Sequence, residues 1–236
     1  MSQKSTVDEI RERFDKDVER FSNLETGQES IMDAPLAMEL ITQAAVTTNP
    51  NAKNLLDIGC GAGNFTLNLL PHLSQLNCDM VDLSEAMLKK AFDRVSWGTT
   101  GKVNLYQEDI RKVKLPDNHY DIILATAVLH HLRDDQDWEQ VFQKIHQLLV
   151  PGGSLWISDL VVHDDPELHK IMWTRYGRHL ISVGGESYRD KVFKYIEVED
   201  TPRSLSYQVH LMEKVGFKQI EILHKNCCFA SFGGVK

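Results

Sequence analysis

The chain is short of several things, and each shortage removes a class of protein. Only four of its 236 residues are cysteine, Cys60, Cys78, Cys227 and Cys228. They form no CxxC pair, so a disulfide framework is not expected and reduced thiols are. No apolar run approaches the roughly 20 residues of a membrane-spanning helix, and the polar, acidic N-terminus is unlike a secretory signal, which leads us to expect a cytoplasmic protein with no membrane partner. Positive charge is outnumbered, 26 Lys and Arg against 34 Asp and Glu. A surface built to neutralise nucleic-acid phosphates is therefore not expected. Repeats and low-complexity tracts are absent. The ten histidines show no ligand spacing beyond the adjacent pair His130 and His131, so no metal is expected.

What is there is a strand and helix alternation. LLDIG (55–59) reads as a buried strand, followed by Phe65, Leu69, Leu70 and Leu73 at helical spacing. CDMVDL (78–83) is a second strand, Ser84 a helix cap, and Met87, Leu88, Ala91, Phe92 and Val95 share one helical face. VNLYQED (103–109) and YDIILATAV (120–128) continue the series. Trp138, Val141, Phe142, Ile145, Leu148 and Leu149 mark a helix that PGG (151–153) stops, and SLWISDL (154–160) is a fifth strand. A helix over 204–215 precedes a closing hairpin of KQIEIL and CCFASFGGV. This order implies an α/β fold with a mostly parallel sheet, helices on both faces and an antiparallel last strand. Two segments stand outside it. Residues 1–50 read as an N-terminal helical cap, with Val7, Ile10, Phe14, Val18 and Phe21 on one face, ahead of a domain over 51–236; residues 161–203 read as an irregular polar and aromatic lid inserted in that domain. Both are expected to cover the ligand end of the sheet, and the amphipathic N-terminal helix serves a homodimer as readily as a lid.

Ligand crevices of open parallel sheets lie beyond the carboxyl ends of the strands. There the chain runs LLDIGCGAGNFT, where Gly59, Gly61 and Gly63 let main chain touch a ligand directly. A dinucleotide fingerprint is G-x-G-x-x-G, and Asn64 stands where its last glycine belongs, so a pyrophosphate partner is disfavoured. Asp57, Asp82 and Asp109 follow at successive strand ends. A carboxylate accepts from paired ribose hydroxyls, which suits Asp82, or from an exocyclic amine, which suits Asp109; a helix cap or a solvated loop charge is the alternative for each.

These motifs resemble the class I S-adenosylmethionine-dependent methyltransferases over roughly residues 50–160: LLDIGCGAGNFT, VDLSEAML, LYQEDIRKV, YDIILATAVLHHL and LLVPGGSLWISD. The resemblance implies a Rossmann-like seven-stranded sheet and S-adenosyl-L-methionine as cofactor, with S-adenosyl-L-homocysteine as product. It also implies that Asp57, Gly59, Cys60 and Gly61 hold the methionine and ribose, that Asp82 takes the ribose hydroxyls, and that Leu83, Met87, Asp109 and Ile110 surround the adenine. Ala125 and Thr126 would meet the methionine amino group, and Gly63 would serve helix packing. A looser resemblance, through FDKDVERF and the ending VGFKQIEILHKNCCFASFGGVK, is to carboxy-S-adenosylmethionine synthases. Their carboxylate-pairing arginine aligns with Leu211 here, with Arg203 as a neighbouring substitute. Methyl transfer to a small-molecule acceptor is therefore the expected activity; a carboxy-cofactor synthase and a non-catalytic cofactor-binding module are the alternatives. An acceptor that carries a proton would use a base, and His130, His131 and Asp159 are the candidates at the correct end of the sheet. Trp173, Arg175, Tyr176, Arg178, His179, Tyr188, Arg189, Phe193 and Tyr195 are the candidates for an acceptor pocket, a packing face being the alternative.

Overall fold

The computed structural model describes residues 4–23 and 28–236. Seven strands form one sheet: β1 (Asn54–Ile58), β2 (Asn77–Asp82), β3 (Val103–Gln107), β4 (Tyr120–Thr126), β5 (Leu149–Leu160), β6 (Lys218–Asn226) and β7 (Phe229–Val235), in the order β3-β2-β1-β4-β5-β7-β6. All neighbours pair in parallel except β7, which is antiparallel to both β5 and β6. Among the described residues eight α-helices accompany it: α1 (Val7–Lys16), α2 (Val18–Ser22), α3 (Ala34–Thr48), α4 (Asn64–Leu69), α5 (Glu85–Gly98), α6 (Asp135–Leu148), α7 (Pro166–Glu199) and α8 (Leu205–Val215).

The near-continuous apolar strands follow from burial on both faces. Along β4, Ile123 and Ala125 enter one core with Trp138, Phe142 and Ile145 of α6 and Met212 of α8. Ile122 and Leu124 enter the other, with Leu69 of α4, Leu88, Ala91 and Val95 of α5, and Ile41 and Ala45 of α3. Full burial of each such aliphatic side chain is worth roughly 1.5–3 kcal/mol, so the two layers fix which way the strand tips face. Caps set the helix starts: the Ser84 hydroxyl, the cap expected from sequence, accepts from Met87 N at 3.1 Å, and Asp134, not singled out there, accepts from Asp137 N at 2.9 Å.

Three expectations change. Residues 161–203 are not irregular, because α7 occupies most of them as a long helix bent at Gly185, whose φ is 81°. Gly184 and Gly185 interrupt the pattern from within, and the buried face (Tyr176, Leu180, Val192) is too sparse to show helical spacing in sequence. The helix before β5 ends at Leu148, and PGG lies inside the start of that strand, with Gly152 at φ 82°. Residues 34–48 reach the crevice only at their start, where Ala34 and Ala37 line a cavity; the rest of α3 packs on the sheet face through Ile41 and Ala45.

Candidate active site

Two adjoining cavities open at the carboxyl ends of the strands. The larger, about 210 Å3, is lined by the first crossover (Gly59, Cys60, Gly61), by the last residue of β2 and the turn into α5 (Asp82, Leu83, Met87), by Asp109 and Ile110, and by Thr126. The smaller, about 130 Å3, is lined by His130, Asp159, Asp200 and an aromatic set that includes Tyr176, Tyr195 and Phe229. Phe14, Phe21, Phe65, Thr126, Ala127 and His131 border both.

The crossover is shaped by its own backbone. Gly59 N and Cys60 N donate to Val81 O at 2.8 and 3.1 Å, which pins the loop across β2. Gly59 has φ +64°, and a Cβ there would lie 2.4 Å from Val128 Cγ2; at Gly61, φ +49°, a Cβ would meet nothing within 4 Å. Space is thus reserved above Gly61 and not above Gly59. At Gly63 a Cβ would lie 2.9 Å from Val95 Cγ2, the close helix packing anticipated for it. The Asp82 carboxylate accepts from Gly61 N and Ser84 N, both at 2.9 Å, so it is held rigidly at the cavity edge. Burial, opposed by those backbone donors, raises its pKa. This bare cradle beside a fixed acceptor fits an adenosine-containing cofactor.

Several expected residues stand elsewhere. Asp57 is 1% exposed beneath the loop and lines neither cavity. It accepts the Thr66 hydroxyl at 2.7 Å, its other oxygen has no partner, and burial pushes its pKa up to about 7. Ala125 is fully buried in the core under the sheet. Asp109 lines the larger cavity, but Arg111 grips it: backbone N at 2.9 Å, Nε at 2.9 and 3.1 Å, Nη2 at 2.5 Å. Those contacts occupy the usual acceptor directions of a carboxylate, so an adenine amine would have to compete for one. Of the aromatic and cationic set in α7, Tyr176 and Tyr195 line the smaller cavity; Trp173 stacks on Phe193 with centroids 4.9 Å apart, as a packing face.

The histidine pair is deeply engaged. His130 Nδ1 is hydrogen-bonded to Asp159 Oδ1, and His130 N donates to Asp159 Oδ2 at 3.2 Å. Burial alone would lower the His130 pKa, but Asp159 and Asp200 raise it to about 9. Burial and the neighbouring His130 lower that of His131. Sequence reasoning missed Asp200, the residue capping the end of α7, which the fold brings to 3.1 Å from His131 Nδ1. It also missed what holds the cover down: Arg13 of α1 grips Glu199 of α7 (Nε to Oε1 and Oε2, 2.8 and 2.9 Å), and Arg133 Nη2 donates to Ser5 O at 2.6 Å. No short motif marks such long-range pairs.

The sheet order, the bare crossover and the carboxylate that ends β2 define an α/β domain whose crevice suits a nucleoside, and comparison makes it more particular. Residues 56–155 match a family model described as a methyltransferase domain. A carboxy-S-adenosyl-L-methionine synthase of Vibrio atlanticus is 28% identical over 188 residues, covering 78% of this chain and 76% of that one. A demethylmenaquinone methyltransferase of Listeria monocytogenes is 24% identical, covering 78% of each. Among solved structures, the Burkholderia thailandensis 1,6-didemethyltoxoflavin-N1-methyltransferase, with 1,6-didemethyltoxoflavin and S-adenosylhomocysteine bound, superposes with TM-score 0.66 at 13% identity over 100% of this chain and 92% of that one. Together these findings support a class I S-adenosylmethionine-dependent methyltransferase with S-adenosylmethionine as its cofactor. Among the described residues no helix is long and apolar enough to cross a membrane.

Proposed function

We propose that the larger cavity holds S-adenosylmethionine and that the smaller one seats a small, largely apolar or aromatic acceptor, to which the methyl is transferred. The observation that carries this reading is the shared border: Phe14, Phe21, Phe65, Thr126, Ala127 and His131 face both spaces, so donor and acceptor would meet there. When bound, the cofactor supplies an already activated methyl on sulfur. The protein's work is then orientation and exclusion of water, which can be worth up to roughly 7–11 kcal/mol. Phe14 and Phe21 supply apolar surface over the junction. Gly61 and Asp82 would hold the nucleoside side in place, with Leu83, Met87 and Ile110 around the base. His131, on the border of both cavities, is placed to take a proton from an acceptor hydroxyl or amine, while Asp159 fixes the neighbouring His130 ring.

Conversion of the cofactor to a carboxylated form is the weaker reading, although relatives carry that name. Leu211 is buried in the core, and Arg203 pairs with Asp135 at 2.8 Å. The arginines along the cavities are engaged too: Arg13 by Glu199, Arg111 by Asp109 and Asp137, Arg133 by the carbonyls of Glu199 and Ser5. An extra carboxylate would find no uncommitted arginine among them. A non-catalytic module would have no use for the second cavity.

Ala37 lines the smaller cavity alone, so Ala37→Phe tests the division. Folded Ala37→Phe protein should bind S-adenosylhomocysteine within about twofold of the wild type by calorimetry and lose methylation of whichever phenol, catechol or nitrogen heterocycle a mass-spectrometric screen identifies. Full transfer by this variant would overturn the assignment.

A further inference from the structure

A second chemical feature sits in the acceptor cavity. We propose that His130, His131 and Asp200 form a binding site for one divalent transition-metal ion, such as zinc or iron(II), with open coordination positions facing that cavity. The inference deepens the acceptor-cavity reading and rests on it only for what the open positions would face; with the ion bound, His131 Nδ1 is a ligand and its ring no longer serves as the base, so an open position on the ion would lower the acceptor's pKa in its place.

Each of the three residues offers a ligand atom, and these atoms all lie within 4.8 Å of one another. His131 Nδ1 is 3.1 Å and His130 Nε2 is 3.8 Å from Asp200 Oδ1. Nitrogen and oxygen ligands bind such ions at about 2.0–2.2 Å, which places neighbouring ligands roughly 3–3.5 Å apart. The observed spacing needs little adjustment to converge on one ion. Two histidines and one carboxylate suit zinc or iron(II) and leave positions for another ligand.

Two further observations separate this cluster from an ordinary ion-pair network. Asp200 is 6% exposed and lines the cavity, yet its Oδ1 has no hydrogen-bond partner, and neither does His131 Nδ1. The two atoms are in charge contact at 3.1 Å, but the ring nitrogen is poorly directed for a hydrogen bond, and a shared cation would satisfy both better than they satisfy each other. In addition, His130 already has the outer support typical of a metal-bound histidine: Asp159 binds its Nδ1 and leaves Nε2 as the ligand atom. The third ligand arrives from the far end of α7, and Thr201 N, donating to His130 O at 2.7 Å, locks that end against the histidine turn. Adjacent histidines alone show nothing of this in sequence.

The test uses untagged full-length protein stripped with a chelator and titrated with cobalt(II), followed by visible absorption, and with zinc, followed by calorimetry. One equivalent should bind with a Kd of micromolar or tighter, and both Asp200→Asn and His131→Ala should weaken it at least tenfold. His163→Ala, which alters a histidine outside the cluster, should leave it unchanged. Absence of cobalt bands, or binding that survives both cluster substitutions, would overturn the site. S-adenosylhomocysteine titrated into the stripped and loaded samples should bind both. Failure of metal binding with nucleoside binding intact would thus remove the metal site and spare the cofactor reading, whereas loss of nucleoside binding in both samples would strike the latter.

Discussion

Gly61→Ala and Gly59→Ala make a paired experiment, because the two glycines share a left-handed backbone and differ in what lies above them. At Gly61 the new methyl meets no atom within 4 Å, so the protein itself has room for it. Alanine at positive φ costs about 1–2 kcal/mol, and the stiffer unfolded chain returns about 0.4–1. The net loss, near 1 kcal/mol, should lower Tm by only about 2–4 °C in a chain of this size. If that room is where the nucleoside approaches bare backbone, the methyl must displace it, and a loss of about 1.4–3 kcal/mol corresponds to a Kd for S-adenosylhomocysteine roughly 10- to 100-fold weaker. At Gly59 the same methyl would lie 2.4 Å from Val128 Cγ2 and 2.6 Å from Val128 Cβ. Overpacking of that kind adds about 1–3 kcal/mol to the backbone cost, so Gly59→Ala should be damaged first in stability. Calorimetry and thermal unfolding on both variants read the two effects separately. A folded Gly61→Ala protein that binds the nucleoside as tightly as the wild type would refute the claim that the crossover is bare for the ligand's sake.

Other outcomes follow from named contacts. Asp82→Ala should weaken nucleoside binding at least tenfold and free the Gly61 and Ser84 amides it now holds at 2.9 Å, whereas unchanged calorimetric affinity would remove Asp82 from the site. Asp57 has a folded-state pKa of about 7 against an ordinary 3.8, so the native state prefers the proton. Stability relative to Asp57→Asn should therefore be greatest below about pH 4, decline as pH rises to about 7 and level off above it, by at most roughly 4 kcal/mol; a difference independent of pH in urea titrations would contradict this. Tyr120→Phe removes a buried hydroxyl that donates to Asp79 at 2.6 Å and should cost about 1–2 kcal/mol without changing nucleoside affinity, as read by unfolding and calorimetry together. Glu199→Gln breaks the Arg13 pair that fastens α1 to α7 and should speed cofactor release in stopped-flow experiments by a few-fold, an expectation that an unaltered off-rate would reject.

The parts of this molecule legible in sequence are those in which one short stretch contains both the cause and its effect. β1, the glycine crossover and the start of α4 lie within residues 54–69, and each dictates its neighbour: a strand buried on both faces must be apolar, and a sharp turn into a helix needs positive φ. Asp82 was legible for a similar reason, as the last residue of a strand whose end must face the crevice. Asp57 was read by the same logic and stands elsewhere, since one residue of alternation separates a strand-tip acceptor from a side chain turned beneath the loop; the strand pattern of Leu55 and Leu56, apolar on both faces, does not reveal the difference. The acceptor side was harder because its causes are far apart in the chain. His130 and His131 were noticed as a pair, but what fixes their chemistry is Asp159 on β5 and Asp200 after a long helix whose central glycines hid it. Local patterns thus mark a crevice that suits a common cofactor, while the cavity proposed for the acceptor is assembled from residues that only the tertiary fold makes neighbours.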